Sequence, residues 1–166
     1  MYKLKVILKR ESLSREFGAH RDAGRRIVFT NGCFDLLHPG HLKLLAQAGA
    51  LGEVLVVAIN DDASVERLKG AGRPIYPALE RAEILLALRW VDYVTVFPEE
   101  TPLETIELVR PDVLVKGAEY RERDIVGSSF VKSYGGDVVR IAMKEGHSTR
   151  GLVRRIGDTS SQDSAS

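Results

Sequence analysis

"RIVFTNGCFDLLHPGHLKLLAQAGAL", residues 26–51, joins a β-rich run to a helical pattern through a glycine-containing turn. The residues of "RIVFT" (26–30) are typical of a strand, and an Asn-Gly turn signal follows them. Pro39 suits the first turn of a helix, and apolar residues then recur at helical spacing. The stretch therefore predicts a strand–loop–helix unit, with His38 and His41 at the start of the helix.

The rest of the chain repeats this alternation of strands and helices. "EVLVVAIN" (53–60) is continuously apolar, as expected of a parallel strand buried on both faces. Further predicted strands are 92–97, 112–117 and 137–142, and further predicted helices are 78–90, 101–110, 128–135 and 148–156. Such alternation predicts an α/β fold, a doubly wound Rossmann-like parallel sheet with helices on both faces. Ligands bind such sheets beyond the carboxyl ends of the strands, where the strand order reverses.

Three segments are expected along the chain. Residues 1–25 form an N-terminal extension, expected to be a helix packed on the outside of the domain. Residues 26–157 form the α/β domain itself. Residues 158–166, "DTSSQDSAS", carry small polar side chains without periodicity and are expected to be a disordered tail.

Composition excludes several classes of protein. The 166 residues are 44% hydrophobic and carry a net charge of +1 that is spread along the chain, which argues against a nucleic-acid partner. Cys33 is the single cysteine, so no intrachain disulfide is expected. No apolar run is long enough to span a membrane, and the N-terminus makes a poor signal peptide. We therefore expect a cytoplasmic protein with no membrane partner.

The histidine pair indicates an anion site. Gly32 lets the backbone approach a ligand, and the helix that begins near Pro39 directs free N–H groups and a positive dipole end outward. His38 and His41 lie three residues apart on one helix face and could donate hydrogen bonds to a phosphorus transition state. A zinc site would need a third ligand such as His20 or His147, whose spacing does not suggest ligation. Glycine-rich dinucleotide and Walker-type phosphate motifs are absent.

"GCFDLLHPGHL" (32–42) resembles the first signature of the HxGH nucleotidyltransferases, which transfer a nucleotidyl group from a nucleoside triphosphate and release pyrophosphate. Segments 60–88, 91–97, 101–120 and 146–156 resemble the adenylyltransferase family of the bacterial ADP-heptose synthases. The resemblance implies that residues 26–157 are a nucleotidyltransferase domain, in a stand-alone form that depends on a separate kinase. ATP and D-glycero-β-D-manno-heptose 1-phosphate are the implied substrates, and a homodimer is possible.

The resemblance also implies roles for individual residues. His38, His41 and Lys69 would act in catalysis, the histidines on the α- and β-phosphates and the lysine from a mobile loop. Residues implied to bind the nucleotide or the sugar phosphate are Asn31, Gly32, Cys33, Phe34, Gly40, Asp61, Arg81, Lys116, Gly117, Ser148 and Thr149. Mg²⁺ is expected with the triphosphate, held by phosphate and water and not by a protein metal site.

Several of these residues have a second interpretation. Lys69 could be an ordinary solvated lysine, Asp61 could cap the following helix instead of binding ribose, and Ser148 could be a plain N-cap. Arg81 could bind phosphate or pair with Glu80 or Glu83 on its own helix. Cys33 is more typical of a small packing residue than of a reactive thiol.

Alternatives remain for the reaction as a whole. Met143 stands where cytidylyltransferases carry an arginine, which favours adenine over cytosine. The acceptor could still be glycerol 3-phosphate, a phosphonate or FMN, used by an adenylyl- or cytidylyltransferase of the same fold. A nucleotide-sensing module without catalysis is the alternative of a different class, disfavoured because both signatures keep their chemically active residues.

Overall fold

The computed structural model describes residues 6–142 together with residues 151, 153 and 154. Strands are β1 (Val6–Leu8), β2 (Ile27–Gly32), β3 (Val54–Asn60), β4 (Tyr93–Phe97), β5 (Val113–Gly117) and β6 (Asp137–Ile141). Helices are α1 (Leu13–Asp22), α2 (Pro39–Gly49), α3 (Asp62–Lys69), α4 (Ala78–Ala87), α5 (Leu103–Val109) and α6 (Ser128–Ser133). Short 3₁₀ turns occupy Arg10–Ser12 and Glu122–Asp124. Across these residues, no helix has both the length and the apolar character needed to cross a membrane.

The strands form one parallel sheet in the order β1-β4-β3-β2-β5-β6. From β2 the chain runs outward through β3 to β4, then crosses back to β5 on the opposite side of β2. The strand order therefore reverses between β2 and β5, and the carboxyl ends of these two strands frame the crevice expected to hold a ligand. This arrangement confirms the predicted doubly wound fold.

Alternate side chains of the strands pack into two apolar layers. On one face of β3, Leu55, Val57 and Ile59 pack with the buried residues of α2 and α4. On the other face, Val54, Val56 and Ala58 pack with those of α1, α5 and α6. Every residue of β3 is buried, because a central strand with helices on both faces has no solvent side.

Residues 6–25 are more closely integrated into the domain than an outer helix would be. They contain the predicted helix, α1, but β1 precedes it and extends the sheet by pairing with β4. Leu13 and Phe17 of α1 are fully buried in the core. The sequence pattern missed the strand because "VIL" is a short run between charged residues.

The sequence pattern gave no range for helix α3: polar residues and a loop were expected after β3, and only the second interpretation of Asp61, as a helix cap, required a helix there. Asp61 caps α3 by accepting the Ser64 N–H at 2.8 Å. Only Ser64 and Val65 of its eight residues are buried, so the apolar periodicity is too weak to indicate a helix. The predicted helix 148–156, apart from residues 151, 153 and 154, and the predicted tail 158–166 lie outside the described residues.

Candidate active site

The loop between β2 and α2, residues 33–38, is called the histidine loop here, and its last residue caps the helix. The Gly40 N–H donates to Nδ1 of His38 at 3.1 Å. Because Nδ1 accepts this bond, the neutral His38 ring carries its proton on Nε2, as a donor. Pro39 has no N–H and that of Gly40 is engaged, so the first turn of α2 offers a ligand fewer backbone donors than the sequence analysis expected.

His41 stacks on His38 with ring centroids 3.8 Å apart and an angle of 27° between the planes. The Phe34 ring lies 5.2 Å from the His41 ring on a tilted plane. Burial, together with the nearby charges of His38 and Lys69, lowers the pKa of His41 from 6.5 to about 4. Within the described part of the chain, the buried Nδ1 of His41 has no hydrogen-bond partner. His41 is therefore a neutral imidazole at pH 7, and its Nδ1 is available to bond a ligand.

Phe34 has a positive φ of 46°, which turns its ring back over Gly32. A side chain at Gly32 would place Cβ 3.1 Å from the Phe34 ring, so glycine leaves room for this ring. Cys33 is half-buried, with Sγ 3.7 Å from Oδ1 of Asn60. Burial raises the pKa of the Cys33 thiol, which agrees with a packing role and disfavours a reactive thiolate.

Lys116 occupies the opposite side of the crevice, at the end of β5. Its Nζ donates to the Asn31 carbonyl oxygen at 3.1 Å and lies 5.1 Å from the centroid of the Tyr120 ring. Burial lowers the pKa of Lys116 to about 8, so the ammonium form still predominates at pH 7. Its neighbour Gly117 has the carboxylate of Glu119 folded against its α-carbon.

Asn31 adds a second polar atom without a described partner, since its buried Oδ1 accepts no hydrogen bond from the described residues. It lies at the end of β2, between the histidine loop and Lys116. The crevice therefore combines two imidazole rings, the Lys116 ammonium group and an amide oxygen without a described partner. This is a set of groups suited to an anionic ligand that also carries a hydroxyl or amine donor.

Lys69 approaches the histidines from the other side, as the last residue of α3. Its side chain is exposed, yet its charge contributes to lowering the pKa of both His41 and Cys33. Gly70 and Gly72 follow it with φ angles of 98° and 79°, conformations that favour glycine. The structure thus places a cation at the edge of the site, beside a loop of residues 70–77.

Arg81 is buried and bonded to protein groups on three sides. It is 1% exposed, and its three nitrogen atoms donate to the Tyr76 carbonyl, the Cys33 carbonyl and Oδ1 of Asp62 at 2.7–2.9 Å. In this conformation Arg81 faces neither a phosphate nor a glutamate of α4. It holds the histidine loop, the 70–77 loop and the start of α3 together.

Asp61 takes the second of its two predicted interpretations in this structure, because its carboxylate caps α3. Asp35 was not singled out by the sequence analysis, although it lies three residues before His38. Its carboxylate is 3% exposed and accepts hydrogen bonds from the 70–77 loop. A carboxylate inside the apolar run "CFDLL" is the signal that could have found it, because such a group needs buried partners.

Ser148 and Thr149 lie outside the described residues, as do Met143 and His147. Within the described ranges, no cluster of three or more His, Cys, Asp or Glu side chains could hold a metal ion. The carboxylates of Asp35, Asp61 and Asp62, in the histidine loop and at the start of α3, are already engaged by protein donors. These residues do not fit a protein-held Mg²⁺.

Comparisons with known proteins show which family the chain resembles. The model of the cytidylyltransferase-like family matches residues 29–146. The bifunctional protein HldE of Syntrophotalea carbinolica is 52% identical over 149 residues, which are 90% of this chain and 30% of that protein. HldE of Gluconobacter oxydans is 56% identical over 131 residues, 79% of this chain and 27% of that protein. The chain thus spans about 30% of the length of these curated relatives.

Two solved structures share the fold. The lipopolysaccharide core biosynthesis protein of Thermoplasma volcanium GSS1 has a TM-score of 0.63 and 27% identity, covering 74% of this chain and 100% of that chain. A pantoate-β-alanine ligase of Francisella tularensis, solved with β-γ ATP and β-alanine, has a TM-score of 0.57 and 16% identity. That match covers 85% of this chain and 68% of the ligase, and it shows likeness of fold alone.

Proposed function

Because the chain belongs to the cytidylyltransferase-like family of nucleotidyltransferases, we propose that it transfers AMP from ATP to D-glycero-β-D-manno-heptose 1-phosphate. The heptose acceptor is supported by the resemblance of its segments to ADP-heptose synthases and by about 50% identity to bifunctional HldE proteins. The products are ADP-heptose and pyrophosphate. An enzyme of this type works in the cytoplasm, where ATP is available, and the possible homodimer stays a prediction.

The observation that carries the proposal is the stacked pair of histidine rings at the strand-order reversal. An oxygen of the sugar phosphate attacks the α-phosphorus of ATP, a new P–O bond forms, and the bond to the leaving pyrophosphate breaks. The nucleophile is already an anion at pH 7, so no general base is required. Catalysis then depends on positioning and on donors aimed at the developing charge. His38, His41 and Lys69 supply such donors.

Magnesium enters as part of the substrate, MgATP. Triphosphate oxygens and water hold the ion, because the carboxylates beside the site are occupied by protein donors. The protein's contribution is then to bind the phosphate oxygens with imidazole N–H groups and ammonium groups. Lys116 and Asn31 face the same crevice from β5 and β2 and suit the sugar phosphate or the nucleotide.

The test is pyrophosphate release from MgATP with the heptose 1-phosphate, for the wild type and for His38→Ala and His41→Ala. Removing a donor aimed at the transition state costs about 10²–10³-fold in kcat, and we expect losses of that size. Lys43→Ala is the matched control, since Lys43 is an exposed residue of the same helix and should turn over normally. Near-normal turnover in either histidine variant would overturn the proposed roles.

Wild-type protein that binds ATP without releasing pyrophosphate with this acceptor would contradict the heptose assignment. Glycerol 3-phosphate, a phosphonate and FMN would then be compared as acceptors. Nucleotide binding without turnover on any of them would favour the nucleotide-sensing alternative.

A further inference from the structure

We propose that Asp35 is a positioning residue, whose carboxylate fastens the 70–77 loop to the histidine loop and so holds Lys69 beside the triphosphate. The inference rests on the proposed function for its kinetic part. Its structural part, the fastening of the loop, is tested without any substrate.

The first observation is how completely the loop occupies this carboxylate. Oδ1 accepts the backbone N–H groups of Ile75 at 2.8 Å and Tyr76 at 3.1 Å. Oδ2 accepts Nε of Arg73 at 2.6 Å, and a second guanidinium nitrogen lies 2.5 Å away. One buried side chain of the histidine loop thus contacts three residues of the other loop. The contacts join positions about 40 residues apart in the chain.

A second buried charge holds the same peptide from its other side. Nε of Arg81 donates to the Tyr76 carbonyl at 2.9 Å, and another nitrogen donates to the Cys33 carbonyl at 2.7 Å. The backbone N–H of Tyr76 is therefore bonded to Asp35 and its carbonyl to Arg81. Asp35 belongs to the histidine loop, and Arg81 contacts that loop through the Cys33 carbonyl, so both bonds connect Tyr76 to the histidine loop.

The two halves of the 70–77 loop differ in how they are held. Arg73, Ile75 and Tyr76 are bonded to Asp35 or Arg81. Gly70 and Gly72, in contrast, have positive φ angles, and a Cβ atom added to either would have no neighbouring atom within 4 Å. Lys69 directly precedes this open half. With α3 on one side and the bonded half on the other, the path of the chain at Lys69 is limited at both ends.

Charge explains why the carboxylate is paired with an arginine. A bare Asp35 carboxylate, three residues before His38, would repel the phosphates that the site binds. The guanidinium of Arg73, whose side chain is 13% exposed, neutralises it while adding to the fastening of the loop. Removing the charge of Arg73 alone should therefore weaken ATP binding more than removing the charges of Arg73 and Asp35 together.

Trypsin cleavage tests the fastening directly. Trypsin cuts after lysine and arginine but not before proline, so the Lys69–Gly70 bond is a cleavage site and Arg73–Pro74 is not. In Asp35→Asn, we expect the cleavage rate at Lys69–Gly70 to rise about tenfold, because cleavage follows the population of the open loop. Cleavage after the exposed Arg89 is the internal control and should not change. An unchanged rate at Lys69–Gly70 would overturn the proposal.

A double-variant cycle tests the coupling to Lys69. Lys69→Ala, Asp35→Asn and the pair are compared by kcat/KM for MgATP and by the dissociation constant of MgATP. A residue that acts through Lys69 should add less than about twofold to the loss already caused by Lys69→Ala. If the losses of the two single variants multiply in the double variant, Asp35 has a general structural role and the proposal is contradicted. Glu83→Gln, on an exposed site of α4, should behave as wild type.

If Asp35→Asn does not fold, a variant of Arg73 still tests the proposal. Arg73→Met should accelerate the same cleavage and weaken MgATP binding about tenfold or more, and adding Asp35→Asn should restore part of that binding. Binding no better in the pair than in Arg73→Met would refute the charge argument. If the wild type shows no turnover with any acceptor, the proposed function fails, while cleavage and ATP binding still decide the role of Asp35.

Discussion

At the scale of single residues, burial decides what the two histidines can do. A pair of protonated imidazoles 3.8 Å apart would repel, and an exposed pair would change charge near neutral pH. Burial and neighbouring positive charge keep His41 neutral, so its ring offers one N–H donor and no charge of its own. The proximity of Lys69 supplies the positive charge that the imidazoles lack.

We expect the ¹H–¹⁵N NMR signals of the His41 ring to show a neutral imidazole from pH 8 down to about pH 5. The reason is its pKa of about 4, compared with the ordinary 6.5. Since the unfolded chain binds the extra proton first, this residue favours folding above pH 6.5, and that contribution is lost as pH falls toward 4. MgATP should raise the pKa of His41, because anionic phosphate favours the cation. An ordinary titration near pH 6.5 without ATP would contradict this.

Residue roles differ in how far the sequence could predict them. The positions of His38 and His41 at the start of a helix could be predicted because they follow from a short motif at a strand–helix junction. Asp35 could not be assigned in that way, because its partners lie 38–41 residues away and only the folded chain brings them together. The contact of Arg81 with the Cys33 carbonyl, 48 residues away, is beyond a local pattern for the same reason. Lys116 was predicted to face the ligand, since a lysine that ends a buried strand has no packing role there.

At the scale of elements, the two loops of the site behave as one unit because Arg81 joins them. Arg81→Met would leave two carbonyl groups and the Asp62 carboxylate without their donor. We expect a loss of about 2–4 kcal/mol in the free energy of unfolding, because a buried carbonyl left without its donor costs about 1–3 kcal/mol, whereas Asp62, with a side chain 49% exposed, can bind water instead. Urea denaturation measures it.

Arg89→Met is the matched control for that experiment. Arg89 lies on the surface with its guanidinium carbon 5.1 Å from the centroid of the Trp90 ring. Replacing Arg89 should lower the free energy of unfolding by no more than about 1 kcal/mol. Equal costs for the two variants would mean that Arg81 does not hold the loops together.

Elements with strong periodicity were predicted correctly and weak ones were not. The apolar run of β3 and the amphipathic pattern of α4 match the structure within a few residues. Helix α3 was not predicted because it buries only two of its residues, and its start depends on the cap from Asp61. Short elements gain their stability from tertiary contacts that a local pattern does not contain.

At the scale of the whole molecule, residues 6–25 extend the sheet by one strand and add a helix to the layer that covers it. Phe17 of α1 is fully buried and meets the Tyr93 ring edge-on at a centroid distance of 5.5 Å. Phe17→Ala should therefore lower the free energy of unfolding by about 3–5 kcal/mol. Leu79→Ala, at a residue 64% exposed, should change it by less than about 0.5 kcal/mol. Similarly small losses for the two variants would contradict the place of α1 in the core and favour the expected helix on the outside of the domain.

The central claim is that this fold and this histidine pair transfer AMP to a sugar phosphate. The most direct test is ³¹P NMR of the protein with equimolar MgATP and MgCTP and D-glycero-β-D-manno-heptose 1-phosphate. We predict the signals of a sugar-linked diphosphate and of pyrophosphate, with ATP consumed and CTP left intact. Consumption of CTP alone would contradict the choice of base, and an unchanged spectrum from folded, ATP-binding protein would contradict the heptose acceptor.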